Sequence, residues 1–165
     1  MDLEKEAEKY KSGNQTSFDK IYYATKDLVR YAIYTIIPNR HIIEDLVQDT
    51  YVKVAQALPK YQTKNFRAWI YLMAKNTALD YVKKRKEHTL DEVDFYPDEK
   101  STHPYLYYAI RHLQEQEREV FLMKVLCGHT TKRISEILNI KPFIVNQYYS
   151  QAKQKLKNSL KDDEI

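Results

Sequence analysis

The chain has 165 residues and a mass of 19.8 kDa, enough for one large domain or two small ones. It is 43% hydrophobic and 30% charged, so it is not compositionally disordered. With only 2 glycines and 5 prolines it lacks the tight turns of a β-sandwich, a dinucleotide-binding fold or a phosphate loop. Its 27 basic and 23 acidic residues leave a net charge of +4, compatible with a nucleic-acid partner, and 15 tyrosines are an excess that needs an explanation.

The first block, residues 1–86, reads as four helices. Leu3 to Lys11 is a short one that ends near Gly13. Thr16 followed by Asp19 resembles a capping box, and opens a helix carrying Phe18, Ile21, Tyr22, Leu28, Tyr31, Ala32 and Ile36. Pro38-Asn39 ends it. The third helix is predicted from about His41 to Leu58, with an apolar stripe of Ile43, Val47, Tyr51, Val54 and Leu58, and Pro59 stops it. After the loop KYQTKN a fourth helix runs from about Phe66 to Lys86.

The segment Glu87 to Pro104 differs from both flanks. It holds six carboxylates against Lys100 alone, contains two prolines and shows no helical period. It reads as a flexible acidic linker; a surface loop within one domain is the alternative.

The second block begins with a lead-in, Tyr105–Leu113. Gln116–Leu126 is amphipathic through Val120, Phe121 and Val125, and Gly128 breaks the chain. Thr130 can cap a short helix, Thr131–Leu138. Asn139 can take the left-handed conformation of a tight turn, and Pro142 suits the first turn of a long helix to about Leu160. Short helix, tight turn and longer helix is the helix-turn-helix arrangement. The expected fold class is therefore all-α, two small helical domains joined by a flexible acidic linker, with boundaries 1–86, 87–104 and 105–165.

Three patches carry candidate chemistry. On the third helix Glu44, Asp45, Gln48 and Asp49 lie opposite the apolar stripe. They are either an ordinary solvated face or a docking surface for a basic partner helix. The stretch Pro59 to Glu87 has the opposite sign: eight cations against Asp80 and Glu87, net +6, interleaved with Tyr61, Phe66, Trp69, Tyr71 and Tyr81. Cations that track phosphate beside aromatic faces that stack bases suit single-stranded nucleic acid. Tyr61 and Tyr71 are expected to be exposed, whereas Trp69, Leu72 and Met73 are expected to pack the core. Arg67, Tyr71 and Lys75 are spaced four apart, and Asn76 can donate to and accept from a base edge. The KKRK run can also be a plain helix C-terminus that favours cations.

Other classes are disfavoured. Cys127 has no disulfide partner. With His129 it supplies two ligands where structural zinc uses four, so a buried thiol is expected and no metal or cofactor. No apolar run approaches the ~18 residues of a membrane span and the N-terminus lacks a secretion signal. A cytoplasmic protein without membrane insertion follows. No nucleophile–base constellation points to an enzyme.

These residues carry a family resemblance. IIEDLVQDTYVKVAQAL, then FRAWIYLMAKNTALDYVKKRK, resembles region two of bacterial RNA polymerase sigma factors of the extracytoplasmic-function group. EREVFLMKVLCGHTTKRISEILNIKPFIVNQYYSQAKQKL is similar to their region four. The resemblance spans roughly residues 14–160. It implies that Glu44, Asp45, Gln48 and Asp49 dock the clamp helices of the polymerase largest subunit. It further implies that region four meets the polymerase flap. Tyr61, Lys64, Phe66, Arg67, Tyr71, Lys75 and Asn76 would hold the promoter minus-ten element as single strand, Asn76 helping to form a pocket for one flipped base. Lys132, Arg133, Lys141, Asn146, Gln147, Tyr148, Gln151 and Lys153 would read the minus-thirty-five duplex, and the acidic linker would thread toward the polymerase active site and RNA exit path. An anti-sigma factor is a further candidate partner.

The sequence departs from the family in one place. Recognition helices there usually carry basic residues, but none stands between Pro142 and Ala152. Charge sits instead at Lys132 and Arg133 on the preceding helix and at Lys141, Lys153, Lys155 and Lys157, which bracket the recognition helix. A weaker, A/T-leaning duplex contact is expected, with Tyr148 and Tyr149 reading DNA by stacking and apolar contact. The implied function is a sigma factor that binds core polymerase and recognises and melts promoters. The alternative is a helix-turn-helix regulator or sigma-like adaptor that acts without melting.

Overall fold

A computed structural model of the chain describes residues 1–62, 65–85 and 109–162, and all regular secondary structure among them is helical. Lys64, Lys86, the expected linker 87–104 and residues 105–108 lie outside the described residues. The chain divides into two compact units, Met1–Tyr96 and Pro97–Ile165.

The first unit holds α1 (Leu3–Lys11), α2 (Thr16–Tyr34), α3 (Arg40–Ala57), a 3₁₀ turn (Leu58–Lys60) and α4 (Phe66–Arg85). Helix α2 packs against the other three. Its Ile21, Leu28, Val29 and Ile33 meet Leu46, Val47 and Val54 of α3 and Phe66, Ile70 and Ala74 of α4 in a buried core. One polar pair is built into this core: the Thr25 hydroxyl donates to the Ile21 carbonyl (2.7 Å) and lies 2.9 Å from the Tyr51 hydroxyl on α3. Burial pushes the Tyr51 phenol up, so it stays neutral and available for that bond. On α1 the Lys9 ammonium, 2.7 Å from the buried Glu6, holds that carboxyl below its ordinary range.

Two local expectations are corrected here. The Thr16–Asp19 capping box does not form. Gln15 occupies the cap position in helical conformation without a side-chain cap, and the Thr16 hydroxyl donates to Asn14 Oδ1 instead (2.7 Å). A capping box needs an extended cap residue, and this turn enters the helix already wound. Helix α2 also ends at Tyr34, short of Pro38. A residue before proline avoids helical angles, and Asn39 is used to start the next helix, accepting from the His41 and Ile42 amides.

The second unit holds α5 (Glu115–Val125), α6 (Thr131–Leu138) and α7 (Pro142–Asp162), preceded by helical residues 109–111. Its centre is Val120, Met123, Ile134 and Val145, with Leu138, Ile140, Tyr148 and Tyr149 packed around them. Val120 of the expected stripe is fully buried, but Val125 is exposed; Glu117, Leu122 and Met123 complete the buried side of α5. The helix-turn-helix joints follow the sequence closely. Thr130 Oγ1 accepts from the Arg133 amide (3.1 Å), Asn139 is left-handed with φ 52°, and α7 opens on Pro142. Gly128 has φ 69° and makes the break after α5. Cys127 is a buried thiol.

Candidate nucleic-acid and partner interfaces

Helix α3 sorts its residues by face. Leu46, Val47, Thr50, Tyr51 and Val54 turn inward, and Asp45, Gln48 and Asp49 are exposed. Glu44 is different: it is half-buried and its carboxylate pairs with Arg30 of α2 at 2.7 Å. That charge braces the α2–α3 joint. The outward acidic and amide surface is therefore Asp45, Gln48 and Asp49.

The basic-aromatic stretch is arranged otherwise than its sequence suggests. Tyr61 is 5% exposed and Tyr71 3% exposed, so neither is the open stacking platform expected of it. The Tyr61 ring lies 5.2 Å from Phe66 and 4.8 Å from Trp69 in a three-ring cluster beneath the turn into α4. Phe66 is fully buried. Burying these large rings gains more than leaving them to water. Helix α1 fastens both ends of this loop. Lys11 Nζ donates to the Tyr61 carbonyl (2.5 Å) and stands 5.6 Å over its ring, while Glu4 Oε1 accepts the Phe66 amide (3.0 Å). Asn65 then caps α4 by accepting from the Ala68 amide (3.0 Å).

On α4 itself Arg67 and Asn76 are exposed and Lys75 is half-buried; with Tyr71 buried between them, Arg67, Tyr71 and Lys75 do not form one continuous surface. Leu72 is 52% exposed and Leu79 38%, where the sequence had placed Leu72 in the core. Leu72, Asn76, Leu79 and Lys83 fall on one helical row and are all exposed. Asn76 thus sits between two outward leucines, a setting in which an amide edge and apolar walls face the same side. Sequence inspection missed the leucines because apolar residues occur at nearly every angle around α4, so periodicity does not choose a face.

In the second unit Lys132, Arg133, Lys141, Asn146, Gln147, Gln151 and Lys153 are exposed. Arg133 also pairs with Glu136 on its own helix (3.3 Å). The tyrosines of α7 are a further correction. Tyr148 packs on the domain core. Tyr149 stacks on Phe121 (6.2 Å between centroids) with Lys153 and Lys124 over its ring at 4.6 and 5.2 Å. Both rings are half-buried and engaged within the domain, because two consecutive aromatics on a three-helix unit flank the buried Val145–Ala152 seam. The Thr131 hydroxyl donates to Asn146 Oδ1 (3.1 Å), tying the start of α6 to the second turn of α7. Burial and the charge of Arg133 push the nearby His129 imidazole below its ordinary value, so it is neutral at pH 7. Phe143, in the first turn of α7, was missed entirely and is 62% exposed.

Among the described residues no group of three or more His, Cys, Asp or Glu is placed to hold a metal, and no helix is long and apolar enough to cross a membrane.

The two units match two family models. Residues 21–88 match Sigma-70 region 2 and residues 104–156 match Sigma-70, region 4. The chain is 23% identical over 190 residues to the ECF RNA polymerase sigma factor SigW of Bacillus subtilis, covering 98% of each protein. It is 24% identical over 158 residues to SigE of Mycolicibacterium smegmatis; that match takes in 87% of this chain and 62% of SigE's length. Among solved structures, CnrH in complex with the cytosolic domain of CnrY aligns over 98% of both chains, with a TM-score of 0.62 and 22% identity. The sigma factor RpoE, in complex with the anti-sigma factor NepR from Bartonella quintana, aligns over 87% of this chain and 96% of its own, with a TM-score of 0.60 and 19% identity. At those identities the likeness is one of fold. Two sigma modules in family order, on relatives that share both, place this chain among the extracytoplasmic-function sigma factors of the sigma-70 family, non-catalytic factors of transcription initiation.

Proposed function

We propose that the protein is a dissociable, cytoplasmic subunit that directs core RNA polymerase to particular promoters and melts them. Residues 1–86 are the core-binding and minus-ten module, 87–104 the linker, and 105–165 the minus-thirty-five module. The observation that carries this reading is the outward face of α3. Asp45, Gln48 and Asp49 are exposed together on a helix whose other side is committed to the core, in the part of the chain that matches region 2. Such a face suits the basic side chains of a clamp helix. Glu44 contributes indirectly, through Arg30.

Single-stranded minus-ten DNA is assigned to the row of Leu72, Asn76 and Leu79, with Arg67, Lys75 and the loop that carries Lys64. Buried Tyr61, Phe66 and Tyr71 shape that surface from below. An extruded base needs apolar walls and one hydrogen-bonding edge, which two leucines around an asparagine provide. Duplex DNA is assigned to Lys132, Arg133, Lys141, Asn146, Gln147, Gln151 and Lys153. An anti-sigma partner is proposed as well, since the solved relatives CnrH and RpoE were captured with CnrY and NepR.

Run-off transcription on genomic DNA with reconstituted holoenzyme tests the function. Specific transcripts are expected, and Asp45→Arg or Asp49→Arg should remove them by abolishing core binding while circular dichroism stays unchanged. Tight core binding without any transcript would favour the adaptor reading. That reading has one observation behind it, the uncharged stretch of α7 between Pro142 and Ala152.

A further inference from the structure

Helix α7 buries Val145, Ala152 and Leu156. At about 100° per residue, Phe143, Gln147, Ser150 and Gln154 fall on the side diametrically opposite, and all four are exposed. From Phe143 to Gln154 this outward row holds one phenyl ring, two amides and a hydroxyl, and no charge; further along the helix the same side carries Lys157 and Lys161. Cations border it: Lys132 and Arg133 at the start of α6, Lys141 before α7 and Lys153 within it. The Thr131–Asn146 bond (3.1 Å) places the start of α6, which carries Lys132 and Arg133, beside the N-terminal part of the row. The assembly is a neutral ridge in a basic surround.

A ring 62% exposed at this place differs from the other aromatics of the helix. Tyr148 and Tyr149 are spent on packing, and Tyr149 has Phe121 and two lysines around it. Phe143 makes no such contact among the described residues, yet it stands in the first turn, the part of a recognition helix that meets base edges in the major groove. A phenyl ring cannot read a hydrogen-bond pattern. The one apolar group on any base edge in that groove is the thymine C5-methyl. The cationic border fits the phosphates on either side, and so favours duplex DNA over an apolar protein groove as the occupant.

We propose that Phe143 is a specificity-determining residue that reads a thymine methyl in the upstream promoter element, with Gln147 hydrogen-bonding an adjacent base pair. This rests on the assignment of the second unit to duplex DNA, and it replaces the tyrosine pair with Phe143 as the apolar reader.

The test uses holoenzyme and a promoter fragment recovered by run-off transcription. Each thymine of the upstream element is replaced in turn by deoxyuridine, which keeps every hydrogen bond and removes only the methyl. Wild-type affinity is expected to fall about three- to fivefold at one position, the weight of one methyl buried against a ring. Phe143→Ala should weaken binding to the natural fragment by a similar factor and be indifferent to deoxyuridine, while Phe143→Leu retains part of the effect. Thermal unfolding of both variants controls for the fold, which an exposed side chain should leave intact. No penalty at any position, or a penalty that persists in Phe143→Ala, overturns the proposal. So does a Phe143→Ala defect in core affinity with an unchanged deoxyuridine response, which would make the ring a protein contact. A fully scrambled element that binds wild type as well as the natural one removes the duplex assignment itself, a result distinct from all of these.

Discussion

Glu117 is 1% exposed, and its two oxygens take Lys155 Nζ at 2.8 and 2.9 Å while Oε2 also accepts the Gln114 amide (3.2 Å). One carboxylate therefore closes the cap of α5 and fastens α5 to α7. Removing only the cation leaves a buried charge with its cap bond alone, a loss softened by the half-exposed position of Lys155. Lys155→Met is expected to destabilise the second unit by about 1–3 kcal/mol, as read from denaturant unfolding. A null result would mean that water replaces the ammonium. Even the local half of this device is hidden in the sequence: glutamine is not a usual capping residue, and the expected helix starts at Gln116. The other half spans 38 positions and leaves no local trace. Thr130, Asn139 and Pro142 were legible for the converse reason, since caps and left-handed turns are decided by the residue and its immediate neighbours.

At the scale of elements, α4 shows where periodicity fails. Leu72 and Tyr71 exchanged their expected places, because a helix with Phe66, Ile70, Tyr71, Leu72, Met73 and Leu79 offers several apolar faces. What decides between them is the rest of the unit: α2 and α3 meet the side bearing Ile70, Ala74 and Thr77, and the three-ring cluster at Tyr61 fixes the first turn. The bond from Glu4 to Phe66 joins residues 62 apart, again beyond local rules. The corrected orientation sharpens the role of Asn76. Exposed between Leu72 and Leu79, it has no place in the packing, so Asn76→Ala should leave stability within about 0.5 kcal/mol. Core affinity should also hold, while open-complex formation falls, measured as weaker permanganate reactivity of the melted element. Unaltered footprints would remove Asn76 from the base pocket.

For the whole molecule, charge is segregated along the chain. Residues 59–87 carry net +6, and the following segment to Pro104 is acidic. The outward row of α7 is neutral from Phe143 to Gln154, with cations at its border and at Lys157 and Lys161 beyond it. Phosphate contact at that border is sequence-blind and screened by salt, so the duplex contact is expected to add less discrimination than the single-strand contact. In a promoter reporter series, scrambling the upstream element should reduce transcription partially, whereas single changes in the minus-ten element should abolish it. Abolition by the upstream scramble alone, with minus-ten changes silent, would reverse that ranking.

The bond from Thr131 to Asn146 has a consequence for evolution. An amide free to swivel serves several base pairs, and a promoter can drift beneath it without penalty. Asn146 is held at its oxygen by a neighbouring helix, so its remaining hydrogen-bonding end keeps a fixed bearing. Under the duplex contact proposed for α7, a fixed bearing is intolerant of drift: promoters of the set are expected to keep one base pair opposite Asn146, and Thr131→Ala is expected to widen the bases accepted there, as read by binding to fragments varied at that position.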